Sequence, residues 1–62
     1  MEFIYILIAG QWEDMVVFLS EEDAIKESIN QPHHRVEIFS KNNNSYIPTY
    51  SFYKNGECIT FE

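Results

Sequence analysis

The stretch Met15-Val16-Val17-Phe18-Leu19-Ser20-Glu21-Glu22-Asp23-Ala24-Ile25-Lys26-Glu27-Ser28-Ile29-Asn30 contains the change of period that decides the fold. Its first five residues are a β-rich apolar run. Ser20 then stands before three acidic residues. Its hydroxyl can accept from one of the backbone N–H groups that open a helix, and the carboxylates suit the positive end of the helix dipole. Asp23 holds the position where a capping box has Glu or Gln, so the box is approximate. Ala24, Ile25 and Ile29, with Ser28 between, are expected to form a narrow inward stripe, and Glu22 and Lys26 an exposed pair four residues apart. Pro32 ends the helix near Asn30. A helix of about three turns is unstable alone and needs a sheet beneath it.

Upstream, Glu2 to Ala9 reads as a strand with Ile4, Ile6 and Ile8 on one side and Phe3, Tyr5 and Leu7 on the other. That pattern belongs to a strand covered on both faces, or buried at an oligomer contact. The short turn Gly10 to Asp14 makes an antiparallel hairpin with residues 15–19. Downstream, Arg35 to Ser40 is a third strand, Lys41 to Ser45 a polar turn, and Tyr46 to Tyr53 a fourth strand. Pro48 is expected to delay or bulge that strand, and without an N–H for a ladder it belongs at an edge or a strand start. Asn55-Gly56 between β-rich runs is the preferred two-residue hairpin turn, and Glu57 to Phe61 is the returning strand. The order ββαβββ predicts an α+β fold, an antiparallel sheet of four or five strands with one helix on one face, in a single domain over residues 1–62. A sheet curled into a small barrel is the competing arrangement.

Composition narrows the function. Sixty-two residues leave room for one thin core. With 45% hydrophobic and 16% aromatic residues the chain is too apolar to be disordered. A net charge of −6 argues against direct contact with a nucleic-acid backbone. The one cysteine, Cys58, cannot close an internal disulfide, and a secreted domain of this size would need several, so a reducing cytoplasmic setting is expected. Glu2 stands where a secretory signal is basic, and the apolar run Phe3 to Ala9 is too short to span a bilayer, so no membrane partner is expected.

No set of residues announces catalysis. His33-His34 lacks the convergent ligands of a metal centre, and two solvated histidines after a proline explain it more simply. Cys58 beside a histidine would need an oxyanion element that the sequence does not offer, and a buried structural thiol is the expected reading. The chain is therefore read as non-enzymatic, without metal or cofactor. From Glu13 to Glu27 the acidic residues Glu13, Asp14, Glu21, Glu22, Asp23 and Glu27 face one cation, Lys26. They form a solubilising face or, alternatively, an imitation of a phosphate backbone that would inhibit a nucleic-acid-binding protein.

The tyrosine-rich stretch offers the stronger candidate surface. Strand alternation puts Tyr46, Tyr50 and Phe52 on one side and Ile47 and Tyr53 on the other. One helix covers one sheet face, so aromatic side chains are expected in the open on the second, as at contact surfaces. Trp12, in a polar turn, is either a lid over the core edge or an interface anchor. The expected contact set is Trp12, Tyr46, Tyr50, Phe52 and Tyr53. The expected function is a small acidic protein-interaction module that self-associates as a homo-oligomer or docks a protein partner.

Trp12-Glu13-Asp14, then Phe18-Leu19-Ser20-Glu21-Glu22, Arg35-Val36-Glu37-Ile38-Phe39, Tyr46-Ile47-Pro48-Thr49-Tyr50 and Tyr53-Lys54-Asn55-Gly56 together resemble small uncharacterised proteins of giant DNA viruses of amoebae. The Asn-, Ile- and Tyr-rich usage is similar to that of such AT-rich genomes. The resemblance covers most of the chain. It implies a viral origin and a host-cytoplasm or virion setting, and it transfers no activity and no catalytic residue.

The first expectation open to measurement is the helix cap. Ser20→Ala should lower stability by about 1 kcal/mol, read as a fall in the thermal midpoint. A Ser20 without a capping role would leave the midpoint where it is.

Overall fold

The computed structural model describes residues 2–60. Five strands, β1 (Phe3–Ile8), β2 (Val16–Phe18), β3 (Arg35–Asn42), β4 (Ser45–Lys54) and β5 (Glu57–Thr60), and one helix, α1 (Glu21–Asn30), give the expected α+β fold. The expected end of the last strand, Phe61, lies outside the described residues. All strand pairs are antiparallel, in the order β2-β1-β3-β4-β5. β2 and β5 are the two edges, so the sheet is open and not the barrel that stood as the alternative.

Local chemistry accounts for the elements. Ser20 is extended (φ −111°, ψ 129°), and its Oγ accepts from the Asp23 N–H at 3.4 Å, which places it at the helix cap. Glu22 and Lys26 approach to 3.5 Å on the exposed side. A 3-10 turn, Trp12–Asp14, joins β1 to β2, closed by the Asp14 N–H to the Gln11 carbonyl and the Met15 N–H to the Trp12 carbonyl. The β3–β4 hairpin turns on Asn43 (φ 59°) between the paired Asn42 and Ser45. The β4–β5 hairpin turns on Asn55 (φ 51°) and Gly56 (φ 83°), the two positive φ values that an Asn-Gly turn supplies.

The core lies on one face of the sheet. Tyr5 and Leu7 of β1, Val36 and Ile38 of β3 and Tyr53 of β4 are buried with Ala24 of α1, and Ala9, Phe18 and Ile25 pack around them. The inward row of the helix differs from the expected stripe. Ala24 and Ser28 are fully buried, whereas Ile29 is 53% exposed. Residues 24 and 28 stack directly above one another at the i,i+4 spacing. Ile29 is one step further round, at the helix flank beside Gly56.

Ser28 carries a tie that the apolar pattern does not reveal. Its hydroxyl donates to the Ile25 carbonyl at 2.7 Å and accepts from the Gly56 N–H at 2.9 Å. The helix is thereby fastened to the β4–β5 hairpin through a buried group whose hydrogen bonds are made, as a buried hydroxyl requires.

β4 is bulged just after Pro48, the residue that marked this strand as delayed or bulged. Val36 pairs with Tyr53 and Glu37 with Phe52, but Phe39 then pairs with Pro48. Thr49, Tyr50 and Ser51 therefore all stand opposite Ile38, a bulge of two extra residues. Thr49 holds it. Its hydroxyl donates to the Ile38 carbonyl at 2.8 Å and accepts from the Ser51 N–H at 3.2 Å. Pro48 lies in the half of β4 that β5 does not reach, since the β4–β5 pairs run from Ser51 to Lys54. It therefore occupies an edge, as a residue without an N–H should.

The hairpin turn gives a test of packing as well as of backbone. Gly56→Val should cost at least about 1–2 kcal/mol from the left-handed backbone alone. A Cβ there would also meet Ile29 Cγ1 at 3.0 Å. Chemical denaturation should show a clear fall in midpoint, and an unchanged midpoint would refute the assigned turn.

Candidate functional site

The aromatic residues singled out from the sequence are dispersed by the fold. Tyr53 points to the helix side and Phe52 to the opposite face, and each is only 7% exposed. Phe52 lies beneath the Arg35 guanidinium, whose carbon is 4.8 Å from the ring centroid, a cation–π contact. Neither ring is an open surface. Tyr46, half exposed, donates its hydroxyl to Glu2 at 3.3 Å. Tyr50 is 68% exposed at φ 66° because the bulge turns it out of the strand, not because it alternates with Phe52. Trp12 is 77% exposed and so does not cover the core edge. It stands on the β1–β2 connection, whereas Tyr50 stands on β4, two strands away across the sheet order.

The face without a helix is more aliphatic than aromatic. Register places Ile4, Ile6, Ile8 and Val17 together with Phe39, Phe52, Pro48 and Ile59. Alternation puts Arg35, Glu37 and Lys41 on the same face, with Lys54 and its register partner Glu57 at the hairpin end and Glu2 at the start of β1. Arg35 meets Glu37 at 3.0 Å and Lys41 meets Glu2 at 3.7 Å. Among the described residues, three cations thus face three carboxylates, and their charges on this face balance.

The remaining described acidic residues lie on the β1–β2 connection and on α1, and several have structural partners. Glu21 accepts from the Tyr53 hydroxyl at 2.9 Å. Glu22 pairs with Lys26. Glu27 accepts from Gln31 at 2.7 Å and from Asn30 at 3.5 Å. Glu13 and Asp14 belong to the 3-10 turn, and Asp23 receives the cap through its backbone.

Two clefts open on opposite sides. The first, of about 280 Å³, has Phe3, Tyr5, Tyr53 and Glu21 among its walls. The Tyr5 and Tyr53 ring centroids are 6.2 Å apart at 45°. Burial, and then the Glu21 charge, raises the Tyr5 pKa. The Tyr53 pKa is raised well beyond the tyrosine range by burial and by its hydrogen bond to Glu21. Cys58, opposite Tyr53 in the register, borders this cleft. It is exposed and not the buried thiol expected, because β5 is an edge strand. The second cleft, of about 300 Å³, gathers His33, His34, Arg35 and Lys54 over Ile8 and Ile59. Arg35 is already engaged with Phe52 and Glu37.

Among the described residues no group of three or more His, Cys, Asp or Glu side chains converges as a metal site. Among the described residues no helix is long and apolar enough to cross a membrane. The chain matches no family model, no curated protein and no solved structure.

The tyrosine shifts set an alkaline limit. A tyrosine whose folded pKa lies above its ordinary value of 10.0 stabilises the fold fully below that value. The contribution is lost as pH rises from there through the folded pKa, because the unfolded chain ionises first. Stability should therefore fall steadily above about pH 10, and less steeply in Tyr53→Phe. Denaturant midpoints across the alkaline range check this, and identical slopes for the two proteins would contradict it.

Proposed function

We propose that this chain is a non-enzymatic interaction module that self-associates through the sheet face opposite α1. One observation carries the reading. The uncovered face is apolar and neutral, in a molecule whose net charge is −6. Ile4, Ile6, Ile8, Val17, Phe39 and Ile59 supply the apolar area. Arg35, Lys41 and Lys54 balance Glu2, Glu37 and Glu57 around it.

A second copy is the occupant that fits this surface. Two chains of the same strong negative charge repel each other least where the contacting faces carry balanced charge. A twofold axis through a face bearing both signs can also set cation against carboxylate. The size of the chain favours the same outcome, since a single-layer core of this size gains stability from association. The contact set differs in emphasis from the tyrosine-rich stretch, because Tyr53 is inside the core and Tyr50 is thrown out by the bulge.

The imitation of a phosphate backbone has less support. Glu21, Glu22 and Glu27 each have a partner within the chain, so half of the acidic set already serves the fold.

Sedimentation equilibrium tests the proposal. The expected mass is about twice the 7.4 kDa of the chain and insensitive to salt, as for an apolar contact. Ile8→Glu with Val17→Glu, both at exposed positions, should restore the single-chain mass without loss of circular dichroism. A single-chain mass up to millimolar concentration would overturn it.

A further inference from the structure

The cleft beside α1 has a composition that the interaction reading leaves unused. Three of its walls are aromatic, Phe3, Tyr5 and Tyr53, and a fourth is the Glu21 carboxylate. Tyr5 and Tyr53 are almost fully buried and form the floor, with their rings inclined to each other by 45°. Phe3, 37% exposed, stands at the rim. Glu21 is held in place by the Tyr53 hydroxyl at 2.9 Å. Thr49 and Ser51, at the bulge, complete the polar side.

The three rings and the Glu21 carboxylate favour a cation over a neutral or anionic guest, while the Thr49 hydroxyl is already engaged with Ile38 and Ser51. Aromatic faces carry negative potential and attract ammonium groups within about 6 Å of the ring centroid. The carboxylate of Glu21, an exposed residue, adds a full charge at the edge of an apolar floor. The positive end of the helix dipole opposes a cation here, but it amounts to about half a charge. Glu21, Glu22 and Asp23 bring three carboxylates to that same turn. A small, strongly hydrated ion such as sodium gains little from aromatic walls, because they cannot replace its water. An alkylated ammonium is weakly hydrated, presents methyl groups to the rings, and keeps its charge for Glu21. The volume of about 280 Å³ admits such a head group with its first methylenes.

We propose that this cleft is a binding site for an alkylated ammonium group, seated on Tyr5, Tyr53 and Phe3 and paired with Glu21. The site lies on the helix side of the sheet and is independent of the neutral face assigned to self-association. The same head group can come from a free quaternary amine or from a methylated lysine side chain.

An amide-resonance NMR titration of the whole chain tests this. Choline, its neutral carbon isostere with a quaternary carbon in place of nitrogen, a trimethyllysine amide and sodium chloride at matched ionic strength are the probes. Choline or trimethyllysine should give saturable shifts centred on Phe3, Tyr5, Glu21 and Tyr53, and the tighter of the two identifies the source. Glu21→Gln keeps an acceptor for the Tyr53 hydroxyl and should weaken binding about tenfold. Phe3→Leu keeps apolar bulk without the ring and should weaken it severalfold. The proposal is overturned if the carbon isostere binds as well as choline, if sodium reproduces the shifts, if neither ammonium saturates, or if Glu21→Gln binds unchanged.

Discussion

One ten-residue helix has to cover a sheet of five strands, and the rest of the structure follows from how it does so. Its contact row is made of the small residues Ala24 and Ser28, which let the helix axis lie close to the sheet. A close helix buries Leu7 and Val36 almost completely but shields only the centre of one face. The hydroxyl of Ser28 would be costly in such a place without partners. The Ile25 carbonyl and the Gly56 N–H supply them, and no buried side-chain N or O atom among the described residues lacks a partner. The same contact draws the β4–β5 hairpin under the C-terminal half of the helix. Tyr53 reaches Glu21 at its other end. The helix is thus held at both ends by β4 and its hairpin, and the aromatic cleft is the space left between its first turn and the bulged part of that strand.

The bulge settles a conflict within β4. The strand must pair with β3 along its length and offer Ser51 to Lys54 to β5, while Pro48 can serve no second neighbour. Two inserted residues move the register without changing which face each half of the strand presents, because the side-chain period is two. Ile47 and Tyr53 therefore share a face, as simple alternation implies, although the strand between them is not regular. Tyr50 bears the strain, with a left-handed backbone that costs a bulky residue of order 1–3 kcal/mol. The two hydrogen bonds of Thr49 offset part of that cost.

The parts of the fold visible in the sequence were those with local causes. Ser20 and the acidic turn after it, Pro32, the period-two strands and Asn55-Gly56 each act within a few residues, and each lies where its chemistry implied. The parts not visible depended on pairing across the chain. The Ser28–Gly56 tie spans residues far apart in sequence, and nothing near Ser28 marks it as anything but a polar residue in a helix. The bulge was foreshadowed only by Pro48. Ile29 looked inward because apolar spacing alone cannot tell the centre of a helix stripe from its flank. Cys58 looked buried because β-rich composition is the same in a central strand and an edge strand. For the candidate site, the choice of Tyr46, Tyr50, Phe52 and Tyr53 assumed an unbroken strand. The open aliphatic row Ile4, Ile6 and Ile8 was legible as a second apolar side of β1, but which side the helix would take was not.

Charge placement completes the division of the surface. The chain has ten acidic and four basic residues, a ratio that would make any face negative if the charges were scattered. They are not scattered. Arg35, Lys41 and Lys54 all fall on the face without a helix, where Glu37 meets Arg35 within β3, Glu2 meets Lys41 from beside β1, and Glu57 stands opposite Lys54 across the β4–β5 hairpin. The other described carboxylates lie on the helix and the β1–β2 connection. Sequence alternation produces this directly, since cations at odd positions of β3 share a face with the apolar residues of β1 that they pair beside. One side of the sheet thus carries described charges that balance, while the described excess of carboxylates lies on the helix side and the β1–β2 connection. A protein with so thin a core keeps these properties apart only because its sheet has two faces and its single helix leaves one of them open.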